Sequence, residues 1–128
     1  MVLLDTCTLL WLAADQDSLS NAAVAAISSG ADGLAVCPMS AFEIALKHLQ
    51  GKLQLPLPPD QWYKEALESH GIRELPITGQ CAILAATLPA IHRDPCDRFL
   101  IATATIHRLP VITPDRNIAR YPGLRTIW

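Results

Sequence analysis

Short apolar runs alternate with helix-length stretches from one end of this chain to the other, and that alternation most narrowly limits its fold. Val2-Leu3-Leu4 gives way at Asp5-Thr6 to a stretch in which Leu9, Leu10, Leu12 and Ala13 recur with helical spacing. Leu34 to Cys37 reads as a second strand, Ile72 to Ile77 as a third, Val111 to Thr113 as a fourth and Arg125 to Trp128 as the last. Strands that alternate with helices assemble into a mostly parallel sheet covered on both faces. The fold class is therefore α/β, and ligands are expected at the carboxyl ends of the strands.

Local signals frame the helices. Ser20 and Gly30 bracket a helix over Asn21 to Ser29. Pro38 stops the second strand, and Ser40 is expected to cap a helix that carries Phe42, Ile44, Ala45, Leu46 and Leu49 before Gly51. The proline-rich segment Leu53 to Pro59 reads as a loop. Asp60 is then expected to cap a helix through Trp62, Ala66 and Leu67 to Gly71. Cys81 to Leu88 and Pro95 to Ile106 complete the set, and Pro76 favours an edge position for the third strand.

A chain of 128 residues, 51% of them hydrophobic, suits one buried core, so a single domain over 1–128 is expected. Its start lacks the basic residues and small-residue cleavage site of a signal peptide. No apolar run approaches the roughly 18–20 residues of a membrane span, so a soluble, cytoplasmic protein without a membrane partner is expected. Cys7, Cys37, Cys81 and Cys96 show no zinc-binding spacing and read as reduced core residues.

The formal charge of -2 at first argues against a nucleic-acid partner. Set aside Asp5, Glu43, Asp97 and Asp115, however, and the ten Lys and Arg outnumber the other eight acids. Two bound divalent cations would reverse the balance. These four acids matter because the outline gathers them at one edge. Asp5 ends the first strand, Glu43 falls in the first turn of the helix after the second, Asp97 in the first turn after Pro95, and Asp115 just beyond the fourth strand. Carboxylates converging there repel one another unless cations compensate. Mg2+ or Mn2+ suits an open set of oxygens completed by water and phosphate, the arrangement of phosphodiester hydrolysis.

Each acid also has a local reading. Asp5 could cap a helix, Asp115 could make a turn after Pro114, and Glu43 stands four residues before Lys47, the spacing of a helix ion pair. Asp94 precedes a proline, which pushes it into extended geometry, so it suits the cap, whereas Asp97 points outward as the candidate ligand. Thr6 and Thr113 could orient a ligand or water, or bond the local backbone. Lys47, Lys52, Arg93, Arg98 and Arg116 flank the acidic motifs, with Arg98 and Arg116 favoured for contacts to RNA phosphates. His48, His70, His92 and His107 share no spacing, so a histidine metal or acid/base cluster is not expected. The tryptophans are assigned to packing rather than base stacking.

Four segments together carry a resemblance: LLDTCTLLWL, SAFEIALKHLQGKLQLP, LPITGQCAILAATLPAIHRDPCDRFLIATA and LPVITPDRNIARYPGLRTIW. In them the chain resembles the PIN-domain family and, within it, VapC-type toxins of toxin-antitoxin pairs. The resemblance implies a three-layer α/β/α sandwich, Mg2+- or Mn2+-dependent endoribonuclease activity, homodimerisation and inhibition by a VapB-like antitoxin. It also implies that Asp5, Glu43, Asp97 and Asp115 form the metal site. Cys7 and Cys96 stand where relatives often have His and Phe, and Asn117 occupies a position acidic in many PIN domains. A second metal site would be weaker for that loss.

Two other readings compete. A phosphatase or phosphoacceptor could use Asp5 as nucleophile, although Cys7 stands where the second aspartate of such proteins is expected. A catalytically inactive PIN-like binding module would keep the fold without need of the acids.

Overall fold

In the computed structural model, which describes residues 1–30 and 32–128, the alternation becomes a five-stranded sheet. The strands are β1 (Val2–Leu4), β2 (Leu34–Val36), β3 (Ile72–Glu74), β4 (Val111–Ile112) and β5 (Thr126–Ile127). The helices are α1 (Thr6–Ala14), α2 (Asn21–Ser28), α3 (Pro38–Leu49), α4 (Pro59–His70), α5 (Gly79–Thr87) and α6 (Pro95–His107). Every strand pairing is parallel, in the order β3-β2-β1-β4-β5. Strand β3 lies at an edge, as expected, but it stops at Glu74 rather than Ile77, so Pro76 falls outside the strand.

Period-two alternation along such short strands produces the layers. Val2, Leu4, Leu34, Val36 and Ile112 face one side, where Leu9, Leu12, Ala23, Ile44, Trp62 and Ala66 from the first four helices cover them. Leu3, Ala35 and Val111 face the other, against Leu100, Ile101 and Ala104 of α6. Helix α5 packs outside α6 through Cys81, Ala85 and Ala102. The result is the three-layer α/β/α sandwich with helices on both faces. Leu3 and Leu4 are fully buried on opposite faces, each contributing about 1.5–3 kcal/mol of burial. Among the described residues, no buried side-chain nitrogen or oxygen lacks a hydrogen-bond partner.

Three helix starts differ from the sequence expectation. Helix α5 begins at Gly79 rather than Cys81, behind Thr78, whose hydroxyl oxygen accepts the Cys81 N–H. Helix α3 begins at Pro38, with Cys37 as its extended cap, so Ser40 lies inside the first turn and caps nothing. Helix α4 begins at Pro59 behind Pro58, leaving Asp60 in the first turn, where its charge complements the positive helix end. Proline wins both places because its fixed φ suits the first helical position and its missing N–H costs nothing there. Ser20 and Asp94 do cap, accepting the N–H groups of Ala23 and Cys96. Among the described residues, no helix is long and apolar enough to cross a membrane.

Candidate active site

The chain runs from β1 outward to β2 and β3, then returns across β1 to β4 and β5. Connections therefore leave β1 and β4 in opposite senses, and the crevice beyond their carboxyl ends is where open α/β sheets bind ligands. Asp5 and Thr113, the residues immediately after these two strands, meet there.

Asp5 is extended and caps α1 as well as facing the crevice. Its Oδ1 accepts the Thr8 N–H at 2.7 Å and its Oδ2 accepts the Thr113 hydroxyl at 2.5 Å. The Thr8 hydroxyl donates to the Ile112 carbonyl at 2.8 Å, which fastens the start of α1 to β4. The cap and site readings of Asp5 are thus compatible. Burial pushes the Asp5 carboxyl above the usual carboxylate range, with its hydrogen bonds opposing that shift. With both oxygens engaged and only 7% of the residue exposed, Asp5 is poorly disposed as a nucleophile.

Glu43 is the sixth residue of α3, one turn deeper than its expected place, because Pro38 rather than Ser40 opens the helix. Its Oε2 pairs with Lys47 Nζ at 3.3 Å, as the four-residue spacing implied. Ser40 instead accepts the Thr6 hydroxyl at 2.9 Å, joining α3 to α1 beside the crevice.

Asp97 stands in the first turn of α6 while Asp94 takes the cap, the expected division of labour. Half-buried and near Asp94, with lesser repulsion from Glu43 and Asp115, its carboxyl is pushed up to about 6, against a small opposing effect of His92. Asp115 makes the turn and faces the crevice at once. Its Oδ1 accepts the Asn117 N–H at 2.8 Å, and its backbone N–H donates to the Thr113 hydroxyl oxygen at 3.0 Å. Asp5, Glu43, Asp97 and Asp115 all line one cleft of about 190 Å3, and Thr6, Cys7, Ser40 and Cys96 share its walls.

Arg98 does not line the cleft. Its guanidinium points away into a ring of carbonyls, donating to Ala85, Ala86, Leu88, Pro89 and His92 at 2.8–3.4 Å. Those oxygens end α5 and form the turn before α6, and the fork geometry of arginine satisfies several at once. Arg116 and Asn117 are exposed, and Asn117 Oδ1 accepts Arg120 Nη1 at 3.4 Å. The cysteines are free, but only Cys37 and Cys81 are core. Cys7 is exposed and Cys96 intermediate, both at the cleft, and burial beside Asp94 raises the Cys96 thiol to about 12. Trp62 is buried and Trp11 packs against Trp128 at 5.6 Å between ring centroids.

His92 is the residue that spacing failed to reveal. Its Nε2 lies 2.9 Å from Asp115 Oδ2, its Nδ1 3.1 Å from Tyr121 Oη, and its backbone N–H donates to the same Tyr121 oxygen at 3.0 Å. Among the described residues no second histidine stands with it, and it joins the acids singly. The available signal was its place five residues before Asp97 in a short turn that had to bend back to the cleft.

The donor chemistry fits a divalent cation. Several carboxylates face one cleft, burial and mutual repulsion raise two of them, and His92, Asp97 and Asp115 bring ligand atoms within 4.8 Å of one another. A positive ion removes the repulsion that protonation otherwise relieves.

The PIN domain family model matches residues 2–124. The chain is 38% identical over 130 residues to Ribonuclease VapC22 of Mycobacterium tuberculosis, covering 99% of this chain and 98% of that protein. Among solved structures, it is similar to VapBC2 from Rickettsia felis bound to a promoter DNA fragment, with TM-score 0.70, 12% identity and coverage of 98% and 97% of the two chains. It is also similar to a toxin-antitoxin complex from Klebsiella pneumoniae, with TM-score 0.66, 22% identity and coverage of 97% and 95%. At those identities the two structures bear on the fold alone.

Proposed function

Because this chain belongs to the PIN-domain family, we propose that it is a metal-dependent endoribonuclease, the toxin of a VapBC-type pair, hydrolysing RNA phosphodiester bonds. The observation that carries the reading is the convergence of Asp5, Glu43, Asp97 and Asp115 on one cleft. Divalent cation use follows from the family, and Mg2+ or Mn2+ is the proposed ion because the four acids present hard oxygen donors. When bound, the cation supplies Lewis-acid polarisation of a phosphate and a water that ionises near neutral pH.

The chain's own residues prepare the site. Asp5 is held rigid by Thr8 and Thr113, so its orientation exists before any ligand arrives. Asp115 is held by Asn117 and His92, while Asp97, raised by burial and by the neighbouring Asp94, has a carboxylate that a nearby cation would stabilise. Lys47 and Lys52 line the hollow next to the cleft and could draw an RNA backbone toward it. A VapB-like antitoxin is the proposed protein partner, a homodimer the proposed assembly and the cytoplasm the proposed compartment.

The test is cleavage of a panel of cellular RNAs with Mg2+ or Mn2+, comparing the natural protein with Asp5→Asn and Asp97→Asn. Cleavage that needs the cation and falls by at least about 100-fold in both variants is expected. Undiminished cleavage by either variant would overturn the assignment of that acid, and metal-independent cleavage would overturn the mechanism.

A further inference from the structure

We propose that His92 is a ligand in the cation site, adding one nitrogen donor to the carboxylate oxygens of the cleft; this rests on the reading of the cleft as cation-holding. His92 Nε2 and one oxygen each of Asp97 and Asp115 lie within 4.8 Å of one another. The Nε2 to Asp115 Oδ2 distance is 2.9 Å. Donors on neighbouring corners of an octahedron, each about 2.1 Å from a common ion, stand about 3 Å apart. Opposite corners stand about 4.2 Å apart, so the widest separation in the trio closes with a small side-chain rotation.

The imidazole is also held as a ligand needs to be. Its side chain is only 9% exposed, and the ring stacks on Tyr121 at 5.5 Å between centroids. Nδ1 lies 3.1 Å from Tyr121 Oη, while Arg98 Nη1 donates to the His92 carbonyl at 3.0 Å. A ligating histidine uses its other ring nitrogen to donate to an outer partner that fixes ring orientation. Tyr121 Oη stands ready for that role. Without a cation, Nε2 faces Asp115 directly; with one, the ring proton resides on Nδ1 and is donated to Tyr121. Imidazole suits Mn2+ and later transition ions better than Mg2+, so His92 biases the site away from magnesium.

Pulsed EPR of the Mn2+-loaded protein reads nitrogen ligation directly, without reference to RNA cleavage. The natural protein should show 14N coupling from a coordinated imidazole, and His92→Gln should lack it. Mn2+ affinity should fall about tenfold or more in His92→Gln, with Mg2+ affinity, measured by competition, changing less than about threefold. Tyr121→Phe should keep the coupling and bind Mn2+ more weakly. If circular dichroism shows that His92→Gln does not fold, His92→Asn, whose amide reaches toward Tyr121, takes its place. Bound Mn2+ without 14N coupling in the natural protein, or coupling that survives loss of His92, overturns this inference and leaves the cation site standing. Failure to bind Mn2+ overturns both.

Discussion

The Thr113 hydroxyl donates to Asp5 Oδ2 at 2.5 Å while its oxygen accepts the Asp115 N–H at 3.0 Å, so one side chain sets two of the four acids. Thr113→Val keeps the shape and removes both bonds, leaving a buried Asp5 oxygen without its partner. A loss of about 1–3 kcal/mol in stability is expected, with RNA cleavage falling at least about tenfold. Thr113→Ser should recover most of both. Denaturant unfolding and cleavage rates measured together check this, and a Val variant as active as the natural protein removes the positioning role.

Asp97 ties stability to pH. Its folded carboxyl titrates at about 6 against an ordinary 3.8, so in the cation-free protein its favourable contribution is complete below about 3.8. That contribution is lost as pH rises through about 6. Asp97→Asn copies the protonated form, so in EDTA the variant should gain over the natural protein as pH climbs from 4 to 7.5. Added Mn2+ should stabilise the natural protein and not the variant. Thermal melts across that range test it; a pH-independent gap between the two proteins contradicts the raised carboxyl.

Arg98 is a structural clamp, and two measurements separate that role from RNA binding. Arg98→Ala strands several carbonyls at the end of α5 and should cost about 2–3 kcal/mol. The salt dependence of RNA affinity should keep its slope, because a lost phosphate contact lowers the slope by about one unit. A reduced slope with unchanged stability would reverse the assignment.

Arg108 ends α6 in the left-handed region, with φ 55° and ψ 45°. A residue with a Cβ pays about 1–2 kcal/mol for that conformation, which glycine adopts freely. Arg108→Gly should therefore raise stability by about 0.5–1 kcal/mol after the extra unfolded-chain entropy of glycine is allowed for. Calorimetry reads the change, and a lower melting temperature shows that the arginine side chain contributes more than its backbone costs.

The parts of this molecule governed by short-range rules were legible in the sequence. Apolar runs and their spacing located the five strands, although the third ends at Glu74, short of the expected Ile77. Asp94 was separated from Asp97 by the geometry that Pro95 imposes. Errors arose where two local signals competed: Ser40 and Asp60 are good caps by chemistry, yet upstream prolines had already begun each helix. Directions of long side chains were not legible. Arg98 lies beside Asp97 in sequence and turns away in space, while His92 reaches Asp115 across 23 positions through a turn without regular periodicity. Only the folded backbone decides such vectors.

Central strand β1 pairs with β4 through Leu3↔Val111 and Leu4↔Ile112, and Asp5 meets Thr113 just beyond that seam. A fragment truncated before Val111 can pack Val2 to Leu4 against β2, yet it holds neither Thr113 to orient Asp5 nor Asp115 itself. Such distant pairing makes closure a late folding event. Chains that stop short of Val111 are therefore expected to be chemically harmless, since the acid that completes the cleft is the last of the four to be made.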